Sequence, residues 1–333
     1  MLDALTLSLL LVIILAVLFD YINGFHDSAN AIATSVATRA LRPRTAVLMA
    51  AAMNFAGAFA GTAVAKTIGA GLVDVETTTE AVVIAALIGA IVWNLFTWWY
   101  GIPSSSSHAL IGGLLGATIV AAGVSALKMD GIITKVIIPM FSSPLIGFLL
   151  GLLFMVLLAR LFFRARRRPA SRIFRKAQVF SAGFMAFAHG SNDAQKTMGI
   201  IAVLLYSAGH IDHFYVPVWV IISAYSAISL GTLAGGWKVI RTMGVKLTDL
   251  KPVGGFCAET AGATMLIGTA LGGIPVSTTH TIAGAIMGVG STRRLSAVRW
   301  GIAGKIVWAW VFTIPSSAVV ASLFYLLLGR FDH

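Results

Sequence analysis

Apolar residues run along this chain in blocks long enough to cross a lipid bilayer, and polar residues interrupt them at recurring places. The blocks at 5–19, 81–99, 136–158 and 301–328 are the longest. As helices, each approaches or exceeds the length that spans a hydrocarbon core of about 30 Å. The pattern predicts helices over 4–22, 27–38, 45–68, 80–99, 108–123, 136–163, 179–188, 193–207, 215–243, 254–272, 280–291 and 300–329. Glycine and polar clusters are expected to break membrane-depth runs at 23–27 and 189–193, and proline followed by hydroxyl residues at 103–107 and 275–279. A stretch at 164–176 reads as a loop dividing two halves.

The interruptions come in pairs. PSSSSH at 103–108 runs on into ALIGG, and PVSTTH at 275–280 runs on into TIAGA. Upstream, GFHD at 24–27 is matched by GSND at 190–193. Asp27 and Asp193 lie 166 residues apart, and His108 and His280 lie 172 apart. A repeat of about half the chain, with a carboxylate and a hydroxyl cluster in each copy, is a mark of secondary transporters. The expected fold is all-α: a polytopic integral membrane protein with two inverted-topology repeats and broken or re-entrant helices at the midplane. The first repeat is placed at 1–163, a basic loop at 164–178 and the second repeat at 179–333.

Composition sharpens this picture. The 333 residues are 58% hydrophobic and 11% charged, whereas soluble domains carry about 25% charged residues. A net charge of +12 would suit a nucleic-acid partner, but its distribution argues against one. Arg160, Arg164, Arg166, Arg167, Arg168, Arg172, Arg175 and Lys176 cluster between two apolar stretches, the positive-inside signature of a cytoplasmic loop. Corresponding loops of the two halves carry opposite bias. Arg39, Arg42 and Arg44 face His210, Asp212 and His213; Asp74, Glu76 and Glu80 face Lys246 and Lys251; Lys128, Asp130 and Lys135 face Arg293, Arg294 and Arg299. Inverted repeats produce that alternation. The expected placement is multi-pass in the cell (inner or plasma) membrane, with 164–176 cytoplasmic and the N-terminus outside. Asp3 and the polar residues after position 19 argue for a retained first segment over a cleaved leader. The single cysteine, Cys257, excludes an intrachain disulfide and a cysteine-based metal site.

Candidate chemistry follows from what is costly in lipid. Asp27, Asp193 and Glu259 fall in otherwise apolar sequence, where an unpaired charge costs at least about 2.5 kcal/mol. They are candidate cation ligands, and Asn23 and Asn30 add neutral oxygens suited to a hard ion. Lys196, three residues after Asp193, is expected to pair with Asp193 or Glu259; a purely structural bridge to Glu259 is the plainer alternative. Ser104, Ser105, Ser106 and Ser107, and Ser277, Thr278 and Thr279, stand where helices begin. Free N–H groups and the positive end of the helix dipole make such a place fit for an anion. An ordinary N-cap is the plainer reading of one copy; two copies in register favour a substrate site. His108, His280 and Asn192 join the anion ligands, the histidines as donors or proton acceptors. Four glycine pairs spaced i,i+4, beginning at Gly57, Gly112, Gly231 and Gly284, read as close helix packing.

These phrases resemble the inorganic phosphate transporter (PiT) family of low-affinity phosphate symporters. The matches are GFHDSANAIAT at 24–34, PSSSSHALIGG at 103–113, AHGSNDAQKTMG at 188–199 and PVSTTHTIAGA at 275–285. The resemblance implies cation-coupled uptake of inorganic phosphate, with functional positions at Asp27, Asp193, Ser105, Ser277 and Glu259. Two residues depart from it. His26 stands where many members have asparagine, and Asn54 where animal members carry a glutamate. The first departure keeps proton coupling open beside sodium.

Electrostatics favour symport apart from the resemblance. Two carboxylates in a dry site repel a phosphate carrying one to two charges, and bound cations remove that repulsion. Sodium as co-substrate is the preferred reading; a proton-coupled or metal–phosphate symporter and a passive oxyanion channel are the alternatives. A membrane hydrolase using serine with His108 or His280 is disfavoured, because no G-x-S-x-G turn exists and serine and histidine are adjacent in both copies. No ATP loop or covalent cofactor site is visible. A homodimer is the expected assembly, since membrane transporters often associate.

Overall fold

The computed structural model describes residues 4–74, 77–164 and 167–328. Asp3, Glu76, Arg166 and residues 329–333, all used above, lie outside the described residues. Thirteen α-helices carry the described chain: α1 Ala4–Ala37, α2 Pro43–Ala56, α3 Ala63–Gly71, α4 Glu80–Tyr100, α5 Ser106–Ala122, α6 Met129–Ile132, α7 Ile138–Leu161, α8 Arg167–Ser207, α9 Val218–Ala234, α10 Trp237–Arg241, α11 Pro252–Leu271, α12 Thr278–Ser291 and α13 Trp300–Leu328. Among the described residues Leu7–Ala37, Glu80–Tyr100, Met129–Leu161 and Trp300–Leu328 are each long and apolar enough to cross a membrane, and Val218–Ala234 with Trp237–Lys246, bent by 64°, is a broken span or a re-entrant loop.

The helices repeat in order. α1, α4, α5 and α7 of the first half correspond to α8, α11, α12 and α13 of the second, and the broken pair α2–α3 corresponds to α9–α10. Even the connections match. A short 3-10 turn follows α5 and another follows α12. Each lies beside an isolated bridge, Val73 to Leu127 in one half and Thr248 to Val298 in the other. The halves interlock: α13 packs on α5, α7 packs on α12, α9 packs on α1, and α2 and α3 pack on α8.

Glycine explains both the close packing and the breaks. A Cβ on Gly112 or Gly116 would run into the backbone of α13 at Ile314 and Ala318. One on Gly284 or Gly288 would run into α7 at Pro144 and Phe148. In the other two pairs the first glycine packs and the second bends. Gly57 abuts α8 and Gly231 abuts α1, while Gly61 and Gly235 take φ of +104° and +70° and end their helices. A left-handed φ is open to glycine at little cost.

Three expectations are corrected. The chain does not break at 23–27 or 189–193; α1 and α8 run unbroken through both clusters. His26, His189 and Asp193 there meet side chains of neighbouring helices, and the helix backbone keeps its own hydrogen bonds. The 164–176 segment is not a loop beyond position 166, since α8 already begins at Arg167. The helices expected over 45–68 and 215–243 are each broken, at the positive-φ glycines just named. The proline–hydroxyl breaks stand as read, with non-helical chain between α4 and α5 and between α11 and α12.

The basic segments gather at one end. Arg299 donates to the carbonyls of Val245 and Lys246, Arg293 to that of Asp249, and Thr38 at the end of α1 to Gln178 near the start of α8. At the opposite end Lys128 pairs with Asp74 at 3.6 Å and Ser8 bonds Glu80.

Candidate functional site

α1 and α8 lie against one another in opposite directions, and buried polar contacts mark their register. Asp20 meets Thr197, Asp27 shares a cluster with His189 and Asp193, and Thr38 meets Gln178. The rise of 1.5 Å per residue puts about 10 Å between Asp20 and Asp27 along the helix. The seam is therefore a ladder of polar tiers inside an apolar bundle.

The middle tier brings the two repeat carboxylates together. Ligand atoms of Asp27, His189 and Asp193 all lie within 4.8 Å of one another, and all three residues are buried. His26 Nδ1 lies 2.6 Å from Asp27 Oδ1, and its Nε2 lies 3.0 Å from Thr97 on α4. His189 Nε2 lies 3.2 Å from Asp193 Oδ2, and its Nδ1 lies 3.1 Å from Asn54 Oδ1. Each carboxylate thus has one histidine against it. Carboxylate oxygens suit a hard cation better than imidazole nitrogen does. The carboxylates of Asp27 and Asp193 are therefore the candidate ligands of this cluster, and His26 and His189 lie against them.

Two helix N-termini close on this tier. Ser105 caps α5 by accepting from the His108 N–H at 3.2 Å, and Ser277 caps α12 by accepting from the His280 N–H at 3.2 Å. The plainer N-cap reading is therefore true of both, and it leaves each hydroxyl hydrogen free to donate. The two caps are neighbours: the His108 and His280 rings lie 4.8 Å apart. His280 stacks on Trp310 at 4.0 Å, and Trp310 donates to the Pro103 carbonyl at 3.1 Å. Ser104 donates to Thr97 at 2.8 Å, which ties the first turn to His26.

Lys196 and Asn30 join carboxylates to hydroxyls. Lys196 donates to Asp193 and to Ser107, and to the Val276 carbonyl at 3.3 Å. Asn30, which stands 166 residues before it, donates to Thr278 and Thr279 at 3.1 and 2.9 Å. Thr278 in turn donates to Asp193 Oδ2 at 3.1 Å. One ammonium group therefore touches both re-entrant turns and one of the two carboxylates.

Several buried polar atoms on these elements have no hydrogen-bond partner among the described residues: Ser106 Oγ, His108 Nδ1, His280 Nε2, Asn23 Oδ1, and both side-chain atoms of Asn192. A buried donor or acceptor left unpaired costs about 1–3 kcal/mol, so their concentration here fits a site that binds a polar ligand. Among the predicted residues, Glu259 stands apart. It does not meet Lys196; it accepts from Thr34 at 2.5 Å, from Gln178 at 3.0 Å and from Ser181. That places it in the tier nearest the basic end. The sequence analysis assigned His189 no role, although its i,i+4 spacing to Asp193 puts both on one helix face.

Comparison with known proteins bears on the family and the fold. The profile of the PHO4 phosphate transporter family matches residues 23–321. A protein of Rhizobium meliloti (strain 1021) described as a "Probable low-affinity inorganic phosphate transporter" is 53% identical over 94% of this chain and 94% of its own. One of Bacillus subtilis (strain 168) with the same description is 45% identical over 98% of this chain and 99% of its own. A solved structure described as "The sodium-dependent phosphate transporter" superposes with a TM-score of 0.87 at 25% identity, covering 97% of this chain and 99% of that one.

Proposed function

The chain belongs to the phosphate transporter family, a family of transporters and not of enzymes, and from that premise we propose that it imports inorganic phosphate by symport with cations, sodium in preference to protons. The observation that carries the reading is the meeting of Asp27 and Asp193 with two hydroxyl-capped helix N-termini in one buried cluster.

Phosphate sits between the N-termini of α5 and α12. Ser105 and Ser277 donate their hydroxyl hydrogens to it, Ser106, Ser107, Thr278 and Thr279 supply further N–H and O–H groups, and Asn192, His108 and His280 complete the donors. Lys196 offsets part of the anion's charge. Sodium ions sit against Asp27 and Asp193, with Asn23 and Asn30 as neutral ligands, and Glu259 takes a cation one tier toward the basic end. A phosphate charge about 5 Å from a bare carboxylate is repelled by about 3 kcal/mol at an effective dielectric of 20. A cation between them reverses that sign, so each ligand strengthens the other by the same factor. The two repeats then rock about the site, which opens first outside and then, at the basic end, to the cytoplasm.

Phosphate binding to the purified protein, measured while sodium is raised, tests this. Affinity should climb by about a hundredfold, the equivalent of about 3 kcal/mol. Asp27→Asn should flatten the sodium dependence while the protein still inserts and purifies as a folded species. Phosphate affinity indifferent to both sodium and pH in the unsubstituted protein would refute the symport reading and leave a passive channel.

A further inference from the structure

A third acidic side chain lies on the α1–α8 seam outside the site just described. Asp20 is 1% exposed. Its Oδ2 accepts from Thr197 at 2.6 Å, and its Oδ1 has no hydrogen-bond partner among the described residues. One turn on, along the same helix face, Asn23 is equally buried and its Oδ1 is also without a partner. Tyr225, from α9 packed against α1, is 1% exposed and its hydroxyl likewise has no partner. The charged and titratable groups that act on Asp20 are Asp193 and Lys196 on α8 and Tyr225 on α9. Lys196 spends its hydrogens on Asp193, Ser107 and Val276.

We propose that Asp20, with Thr197 and Tyr225, forms a further site for a monovalent cation, one tier from the central carboxylates and on the side away from the basic end, with Asn23 between the two sites. Two buried acceptors, a carboxylate oxygen of Asp20 and the amide oxygen of Asn23, have no hydrogen-bond donor among the described residues, and the Tyr225 hydroxyl has no partner there either. Burying an unpaired acceptor is costly, and burying an unpaired carboxylate more so. A positive charge on Asp20 satisfies both. The ligand set is all oxygen and holds one carboxylate, which matches a hard ion of single charge. Its position matters as well. Asp20, Asn23 and Asp27 occupy i, i+3 and i+7 of α1, and Asp193 and Thr197 occupy i and i+4 of α8, so a cation at Asp20 has a continuous polar face leading to Asp27 and Asp193. Asp20 is thus the position a cation meets before the central site when it arrives from the far end.

The inference rests on the symport reading, and its test separates the two. The full chain and its Asp20→Asn, Asp20→Glu and Tyr225→Phe variants are reconstituted into proteoliposomes. Phosphate accumulation is measured under an inward sodium gradient in one arm and an inward proton gradient in the other. Phosphate exchange at equal ion concentrations on both sides is measured alongside. Asparagine keeps the acceptor that Thr197 needs, so a merely structural role survives Asp20→Asn. The proposal expects Asp20→Asn to lower the number of cations moved per phosphate by one, read from the gradient at which net flux vanishes, while exchange persists. The drop appears in the sodium arm if the occupant is sodium and in the proton arm if it is a proton. Asp20→Glu keeps the ratio. Tyr225→Phe, which removes one ligand oxygen and no charge, raises the half-activating cation concentration about fivefold, and it carries the test if Asp20→Asn does not insert. An unchanged ratio in Asp20→Asn, or unchanged half-activation in Tyr225→Phe where that variant carries the test, overturns the Asp20 site and leaves symport standing. Failure of the unsubstituted protein to accumulate phosphate in either arm overturns both.

Discussion

Ser105 and Ser277 cap their helices in the fold and donate to the oxyanion in the proposed function. Each accepts from a backbone N–H two or three residues into its helix, and each retains a hydroxyl hydrogen for an oxyanion. The two roles separate by substitution. Glycine replaces an N-cap serine at a cost of only a few tenths of a kcal/mol, but it offers no hydroxyl. Ser105→Gly should therefore leave thermal stability nearly unchanged and raise the KM for phosphate about 10- to 100-fold, the worth of one hydrogen bond to a charged group. An unaltered KM in phosphate uptake assays would reduce Ser105 to a cap. At this scale the sequence was most legible where residues recur. Asp27 and Asp193 announced themselves by their matched motifs, and so did the hydroxyl clusters. His189 and Asp20 did not, because each has no twin: the equivalent of His189 is Asn23, and that of Asp20 is Ala186. Asp20 also sits at the end of an apolar run, where a linear reading puts the membrane surface. The structure puts it at the packed seam of α1 and α8, 1% exposed.

The helices show what a hydropathy pattern captures and what it leaves out. Prolines followed by hydroxyl residues broke the chain as read, because proline lacks the N–H needed to continue a helix and a serine or threonine cap restarts one. Polar clusters at 23–27 and 189–193 did not break it. A helix at membrane depth tolerates polar side chains when the facing helices supply their partners, and the sequence of one helix does not list its neighbours. The glycines of α12 point to the same lesson from packing. Gly284 lies against the Pro144 backbone of α7, leaving no room for even a methyl group. Gly284→Ala should cost about 1–3 kcal/mol through overpacking, visible as a lower unfolding temperature of the detergent-solubilised protein, and Gly301→Ala, with nothing nearby, should not. Equal stability of the two variants would show that α7 and α12 are not held at this distance.

Across the whole molecule, the two halves are less separate than a division at 163 and 179 suggests. The last helix of each half packs on the re-entrant helix of the other, and α1 and α8 cross the boundary with their polar tiers. The loop charges foretold the opposed directions of α1 and α8, because inversion alternates the bias of matching loops. They carried no information on this exchange of partners, which depends on contacts between residues far apart in sequence. Interlocking gives the transport proposal its physical content: Asp193 of the second half and Ser107 of the first share Lys196, so charge at the site bears on both halves at once. The measurement that tests the central claim most directly is radiolabelled phosphate uptake into proteoliposomes, with an inward sodium or proton gradient imposed separately. The account predicts accumulation above the external concentration under the sodium gradient, lost in Asp27→Asn. Phosphate that only equilibrates across the membrane under either gradient would contradict it and make this protein a channel.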